Sequence, residues 1–159
     1  MNELAAQTID TLLAYQTRRL QDLIAQIIQC CKHRTSYLSE RYNIPEAELR
    51  CLLLFSDERY LTAKGIARRL EVAKSRVTKI IDGLTQKRLV ETADDPKDAR
   101  IKLIRLTPEG QKSAEEIGTL SRKLHQRLLL EFDSEQRKTV LSCLEMLRSS
   151  MEAVKKQQV

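Results

Sequence analysis

The sequence predicts a mainly α-helical fold interrupted once by a small β-hairpin. Three observations point there. Only four glycines and three prolines occur in 159 residues, so long stretches are free of helix breakers. Apolar residues recur at helical spacing through most of the chain, as at Leu13, Leu20, Ile24, Ile27, Ile28 and Cys31. That period is lost in one place, where Asp94, Asp95, Pro96 and Asp98 separate two short aliphatic and β-branched runs.

Taken in order, the first helix spans about residues 4–41, with the stripe just named on one side and polar residues elsewhere. Pro45 lacks the N–H that a first helical position cannot use, and it opens a second helix through Leu49, Leu52, Leu53 and Phe55. A third, short helix starts near Thr62 and buries Ile66, Ala67 and Leu70. After Glu71, Val72 and Ala73 a fourth begins, its inner stripe formed by Val77, Ile80, Ile81 and Leu84. Residues 89–92 and 100–106 read as the two strands. The second alternates imperfectly, since Ile101 and Leu103 have one parity and Ile104 and Leu106 the other. Thr107, Pro108 and Glu109 combine a capping hydroxyl, a first-turn proline and a carboxylate at the positive end of the dipole, which starts a fifth helix carrying Leu120, Leu124 and Leu128. Asp133 with Gln136 three residues on caps a last helix through Val140, Leu144, Leu147 and Met151.

The length suits one domain. Its formal charge of +6 is not evenly spread. Twelve basic and six acidic residues lie between Tyr60 and Arg105, and the flanks are balanced. A localised excess of this kind is the footprint of a surface that binds a polyanion, because each neutralised phosphate releases counterions. A solvated basic face has the same composition, so charge alone leaves both readings open. The amino terminus has neither a basic n-region nor an apolar h-region, and the longest apolar run covers only residues 51–55, so neither a secretion signal nor a membrane span is expected. Four cysteines without paired CxxC spacing fit a reducing cytoplasm. Only two histidines occur, with no glycine-rich phosphate loop and no nucleophile motif, so an enzyme is not expected and neither is a cofactor.

Two short helices about three residues apart, followed at once by a hairpin, make a helix-turn-helix with a wing. With Val77, Ile80, Ile81 and Leu84 turned inward, Lys74, Ser75, Arg76, Thr78, Lys79 and Asp82 are left outside. Apart from Asp82, these are groups that donate to guanine edges, meet thymine methyls or hold phosphates in a major groove. In the wing, Asp98 and Arg100 lie two apart and share a face, so the carboxylate can orient the guanidinium, with Lys97 alongside. An arginine held at a hairpin tip suits a narrow minor groove, whereas a plain surface ion pair is the competing explanation.

The run from Leu61 to Gly110 resembles the MarR family of bacterial winged helix-turn-helix regulators. The residues that carry the resemblance are Gly65-Ile66-Ala67-Arg68-Arg69-Leu70, Val72 through Leu84, Leu89-Val90, Asp95-Pro96-Lys97-Asp98-Ala99-Arg100 and Leu106-Thr107-Pro108-Glu109-Gly110. Both the Asp-x-Arg of the wing and the Leu-Thr-x-x-Gly after it stand at the family's spacing. Three positions depart from the pattern: Arg88 replaces a usual glycine, Thr92 a frequent arginine, and Ala73 a common side-chain cap. The resemblance implies a homodimer built by dimerisation helices at residues 1–42 and 107–159, with a winged helix-turn-helix over 45–106 that reads double-stranded DNA. It also implies that Ser75, Arg76, Thr78 and Lys79 face the major groove, with Arg100, held by Asp98, in the minor groove. The expected function is transcription regulation at a pseudo-palindromic operator, more as repressor than activator. A winged-helix module that binds an acidic protein instead is the rival reading.

The sensory half is less legible. A small-molecule effector, usual in the family, is expected where the first helix, the second helix and the winged region meet, lined by Tyr37, Tyr42 and Phe55 unless these are plain core residues. Oxidant sensing through Cys30, Cys31 or Cys51 is the other expectation, since Lys32, His33 and Arg34 bring positive charge to Cys31. Cys30 and His33 are three apart, but no further ligand is evident nearby, so no metal is expected.

Overall fold

The computed structural model describes residues 2–96, 98 and 100–157, with side chains from residue 9 onward. In chain order the elements are α1 (Asn2–Tyr42), α2 (Glu46–Leu53), a 3-10 turn (Leu54–Ser56), β1 (Leu61–Thr62), α3 (Ala63–Leu70), α4 (Lys74–Gln86), β2 (Val90–Asp94), β3 (Lys102–Leu106), α5 (Pro108–Leu130) and α6 (Ser134–Gln157). The chain divides into two compact units, one ending at Ala114 and the other starting at Glu115.

In the first unit, α2, α3 and α4 pack around Leu49, Leu52, Ile66, Val77 and Leu84, all with 2% exposure or less. Burying each such side chain stabilises the fold by about 2 kcal/mol before ordering entropy is set against it. Ala67 and Ile81, expected inside, are only half-buried because they lie at the edges of their apolar stripes. Pro45 is the cap residue of α2 rather than its first helical residue, with ψ at 142°. The Thr62 hydroxyl accepts the Gly65 N–H at 3.1 Å and starts α3. Glu71 ends α3 in the left-handed region at φ 54°, which turns the chain into α4. Ala73 offers no side-chain cap there.

The hairpin is part of a three-stranded antiparallel sheet in the order β1-β3-β2. Sequence reading missed β1, whose two residues are too few to show a period; Leu61 pairs with Ile104 and Thr62 with Leu103. The mixed parity of the second strand resolves in the same register. Because β3 begins at Lys102, Ile101 stands outside it and exposed, while Ile104 faces the core opposite Leu61 and Thr92.

Sheet and α5 are stitched together at Thr107. Its N–H donates to the Leu89 carbonyl at 3.1 Å, its hydroxyl donates to the Arg88 carbonyl at 2.6 Å, and the same oxygen accepts the Gly110 N–H at 3.0 Å. The second unit opens α6 with a full capping box. Asp133 Oδ1 accepts the N–H groups of Glu135 and Gln136 at 2.9 Å, and the Asp133 N–H donates back to Gln136 Oε1 at 3.0 Å.

Large apolar side chains remain uncovered on the long helices. On α1 these include Leu12, Leu13, Leu20, Ile27 and Ile28, and on α6 Leu141, Leu144, Met146 and Met151, each between 45% and 66% exposed. The amphipathic stripe that the sequence predicts for α1 is therefore present but faces outward in the single chain.

Candidate nucleic-acid interface

Lys74, Ser75, Arg76, Thr78 and Lys79 are all exposed and occupy the first two turns of α4, while Val77 and Ile80 between them are buried. Helical periodicity produces this split, since positions 77, 80 and 84 recur on one side and leave the polar side chains on the other. With Ala73 as cap, no side chain competes for the free N–H groups at the start of α4. Thr78 spends part of its hydrogen-bonding capacity on its own helix, donating to the Lys74 carbonyl at 3.4 Å.

The wing tip is closed by its own backbone. Asp95 N–H donates to Ile101 O, Asp98 N–H to Asp95 O, and Ile101 N–H to Asp98 O, all within 3.2 Å. Inside this turn Asp98 holds Arg100 three times: its Oδ1 accepts from the Arg100 backbone N–H and from Nε, both at 3.0 Å, and its Oδ2 accepts from Nη2 at 3.2 Å. The guanidinium fork matches the carboxylate edge, which fixes orientation as well as distance. These side-chain and backbone bonds from Arg100 hold the Asp98 carboxyl below the usual carboxylate range. Arg100 stays 92% exposed while Asp98 is 35% exposed, so the charged head is presented outward on a partly sheltered support. Lys97 lies outside the described residues.

Several cations in the basic stretch are neutralised internally. Lys102 pairs with Asp94 and Arg105 with Glu91 across facing strand positions, Arg69 with Glu58, and Lys87 with Glu48. Arg105 is also bonded to Tyr60, and together with Glu91 this raises its pKa. Lys64 and Arg68 stand exposed one turn apart on α3. Sequence reading passed over this pair, although its four-residue spacing on the outer face of the first helix of the motif was there to be counted.

The three aromatics expected to form an effector pocket differ in environment. A cleft of about 630 Å³ opens between the 3-10 turn and the start of α5, lined by Phe55, Asp57, Arg59, Glu91, Arg105 and Gln111 among others, and of the three only Phe55 lines it. Phe55 is itself buried, Tyr42 half-buried and Tyr37 exposed.

The cysteines separate by environment. Cys30 and Cys31 are exposed on α1, and Arg34 Nη2 donates to Cys31 Sγ at 3.6 Å. Cys51 does not fit the redox expectation. It is fully buried, and burial, helped by the nearby Glu48 charge, pushes its thiol up to about 12, so the reactive thiolate is absent at neutral pH. Among the described residues no group of three or more His, Cys, Asp or Glu side chains is placed to hold a metal ion.

Residues 42–101 match the model of the MarR family. The transcriptional regulator AdcR of Streptococcus pneumoniae is 40% identical over 65 residues, which cover 41% of this chain and 44% of AdcR. The chain spans less than two thirds of the length of the curated relatives it matches. Among solved structures, the transcriptional regulator BldR of Sulfolobus solfataricus aligns with a TM-score of 0.66 at 26% identity over 85% of this chain and 96% of its own. A MepR variant of Staphylococcus aureus, solved bound to an oligodeoxyribonucleotide, aligns with a TM-score of 0.57 at 24% identity over 83% of this chain and 97% of its own. Through residues 42–101 the chain is similar to the MarR family, and its fold is the winged helix-turn-helix of the solved regulators with which it aligns.

Proposed function

We propose that the protein is a transcriptional regulator that binds a pseudo-palindromic operator in double-stranded DNA as a homodimer. One observation carries this reading: an outward row of Lys74, Ser75, Arg76, Thr78 and Lys79 on α4 accompanies a wing arginine that three bonds from Asp98 hold in a fixed, exposed pose. The α4 row reads base edges in a major groove and Arg100 enters the adjacent minor groove, with Lys97 as a further wing cation. Lys64 and Arg68 hold phosphates. The DNA-bound MepR variant supports the geometry, since a chain of the same fold was solved on an oligonucleotide.

The dimer is supported by the uncovered apolar side chains of α1 and α6, an exposure that soluble single chains rarely keep. The helices at 1–42 and 107–159 supply the interface, and 45–106 supplies the DNA-reading part. Occupying the operator is enough to exclude polymerase, so the default output is repression. A small-molecule effector modulates affinity, and the 630 Å³ cleft beside Phe55 has the volume of a small-molecule site. No described helix is long and apolar enough to cross a membrane. The chain reads as a binding protein of the cytoplasm and not as a catalyst.

Selection of bound duplexes from a random-sequence pool tests the reading. Enrichment of an inverted repeat, with half-sites about one helical turn apart, is the expected result. No enriched motif, or an unpaired half-site, contradicts the operator or the dimer respectively.

A further inference from the structure

We infer that Glu48 is a positioning residue for DNA recognition, seating α4 by lodging its carboxylate in the notch left by Gly83 and pairing with Lys87 at the end of the same helix. This rests on the reading of α4 as the helix that enters the groove.

Glu48 lies on α2 and is only 9% exposed, the one charged residue among the buried set of the described chain. Its carboxylate occupies the space that any other residue at position 83 would claim. A Cβ built on Gly83 would stand 2.2 Å from Glu48 Oε1 and 2.8 Å from its Cδ. On the other side, Lys87 Nζ is 2.9 Å from Oε2. That approach is off-line for a hydrogen bond, and Oε2 has no directed partner among the described residues. The pair is therefore held by charge and shape and not by a directional bond. The same charge is felt one turn along α2, where it contributes to raising the Cys51 thiol.

A buried ion pair is poor as a source of stability, because desolvating both charges cancels much of their attraction, and well-packed apolar residues of equal volume do as well or better. What it supplies is a unique register: the carboxylate fits only where the glycine notch and the lysine coincide. Gly83 and Lys87 are four apart and so share one side of α4. Apolar contacts at Val77, Ile80 and Leu84 tolerate a small roll of the helix, whereas the notch does not. With a side-chain radius of about 5–6 Å, a 10° roll moves the tips of Arg76 and Lys79 by about 1 Å, enough to spoil hydrogen bonds to base edges. Contacts to phosphates, made by flexible cations, survive such a shift.

The test compares the full-length protein and its variants on two probes, the duplex most enriched by the wild type from a random pool and a scrambled duplex of equal length. E48Q keeps the shape and removes the charge; K87M removes the other charge from a half-exposed site and K87R keeps it. E48Q and K87M are each expected to weaken binding to the enriched duplex at least tenfold, with less than a threefold change on the scrambled one. K87R retains wild-type discrimination, and E48Q/K87M together lose no more than either alone. Circular dichroism and the urea midpoint identify folded variants, and K87M carries the test if E48Q does not fold. A folded E48Q or K87M that discriminates like the wild type overturns the inference, as does an equal loss on both duplexes. If the wild type enriches no duplex, the DNA reading itself fails, which is a separate outcome.

Discussion

Gly110 stands so close to Leu89 that a Cβ built on it would come within 1.8 Å of the Leu89 carbonyl oxygen. The start of α5 therefore lies directly against the backbone leading into β2, and Thr107 fixes that approach through Arg88 and Leu89. This is the physical content of the Leu-Thr-x-x-Gly run: threonine ties the helix start to the sheet, and glycine allows the contact. G110A forces backbone apart and is expected to destabilise the fold by about 3 kcal/mol. T107A removes the cap and the cross-link, at about 1–2 kcal/mol, and T107S retains most of both. Urea unfolding of the three variants checks the order.

Arg88 occupies the left-handed region at φ 58°, a conformation that crowds any Cβ. Glycine, the residue that the family pattern places there, has no such conflict. R88G is expected to stabilise the protein by about 1 kcal/mol despite losing a side chain, seen as a higher urea midpoint at unchanged slope.

The thiols should separate in a labelling experiment. Cys30, Cys31 and Cys143 are exposed, whereas Cys51 is buried with its thiol raised to about 12. Iodoacetamide at pH 8 is expected to leave Cys51 intact until denaturant is added, whatever the cover that the dimer gives the other three on α1 and α6. Rapid native modification of Cys51 would contradict its placement.

The Asp98 carboxyl is held below its ordinary range by Arg100. A carboxylate whose folded pKa is depressed contributes to the wing at all pH values above its unfolded value, near 4, and loses that contribution only as pH falls through the lower folded value. Between pH 5 and 8 the wing therefore stays paired. Carbon-detected NMR should show Asp98 titrating below the usual carboxylate midpoint in the wild type and returning to it in R100A.

The fold was largely legible because its signals are local. The Asp133 and Gln136 capping box, the proline before α2 and the three-residue turn between α3 and α4 each depend on neighbours in sequence. The Asp98 and Arg100 pair was legible for the same reason. What was missed depends on contacts between distant residues. β1 exists only because Leu61 and Thr62 meet β3. Glu48 looks like any surface acid until Gly83 and Lys87 enclose it. Cys51 looked like a candidate sensor because composition cannot report that α2 turns it inward.

DNA recognition by α4 and the wing is tested by the salt dependence of binding to the enriched duplex, for the wild type and R100A in parallel. Expected are a linear fall of log K with log salt at a slope several units steep, a preferred site that persists in excess competitor, and for R100A a weaker affinity with a shallower slope. A flat salt dependence would contradict DNA recognition by this surface, and an R100A line superimposed on the wild type would remove the wing from it.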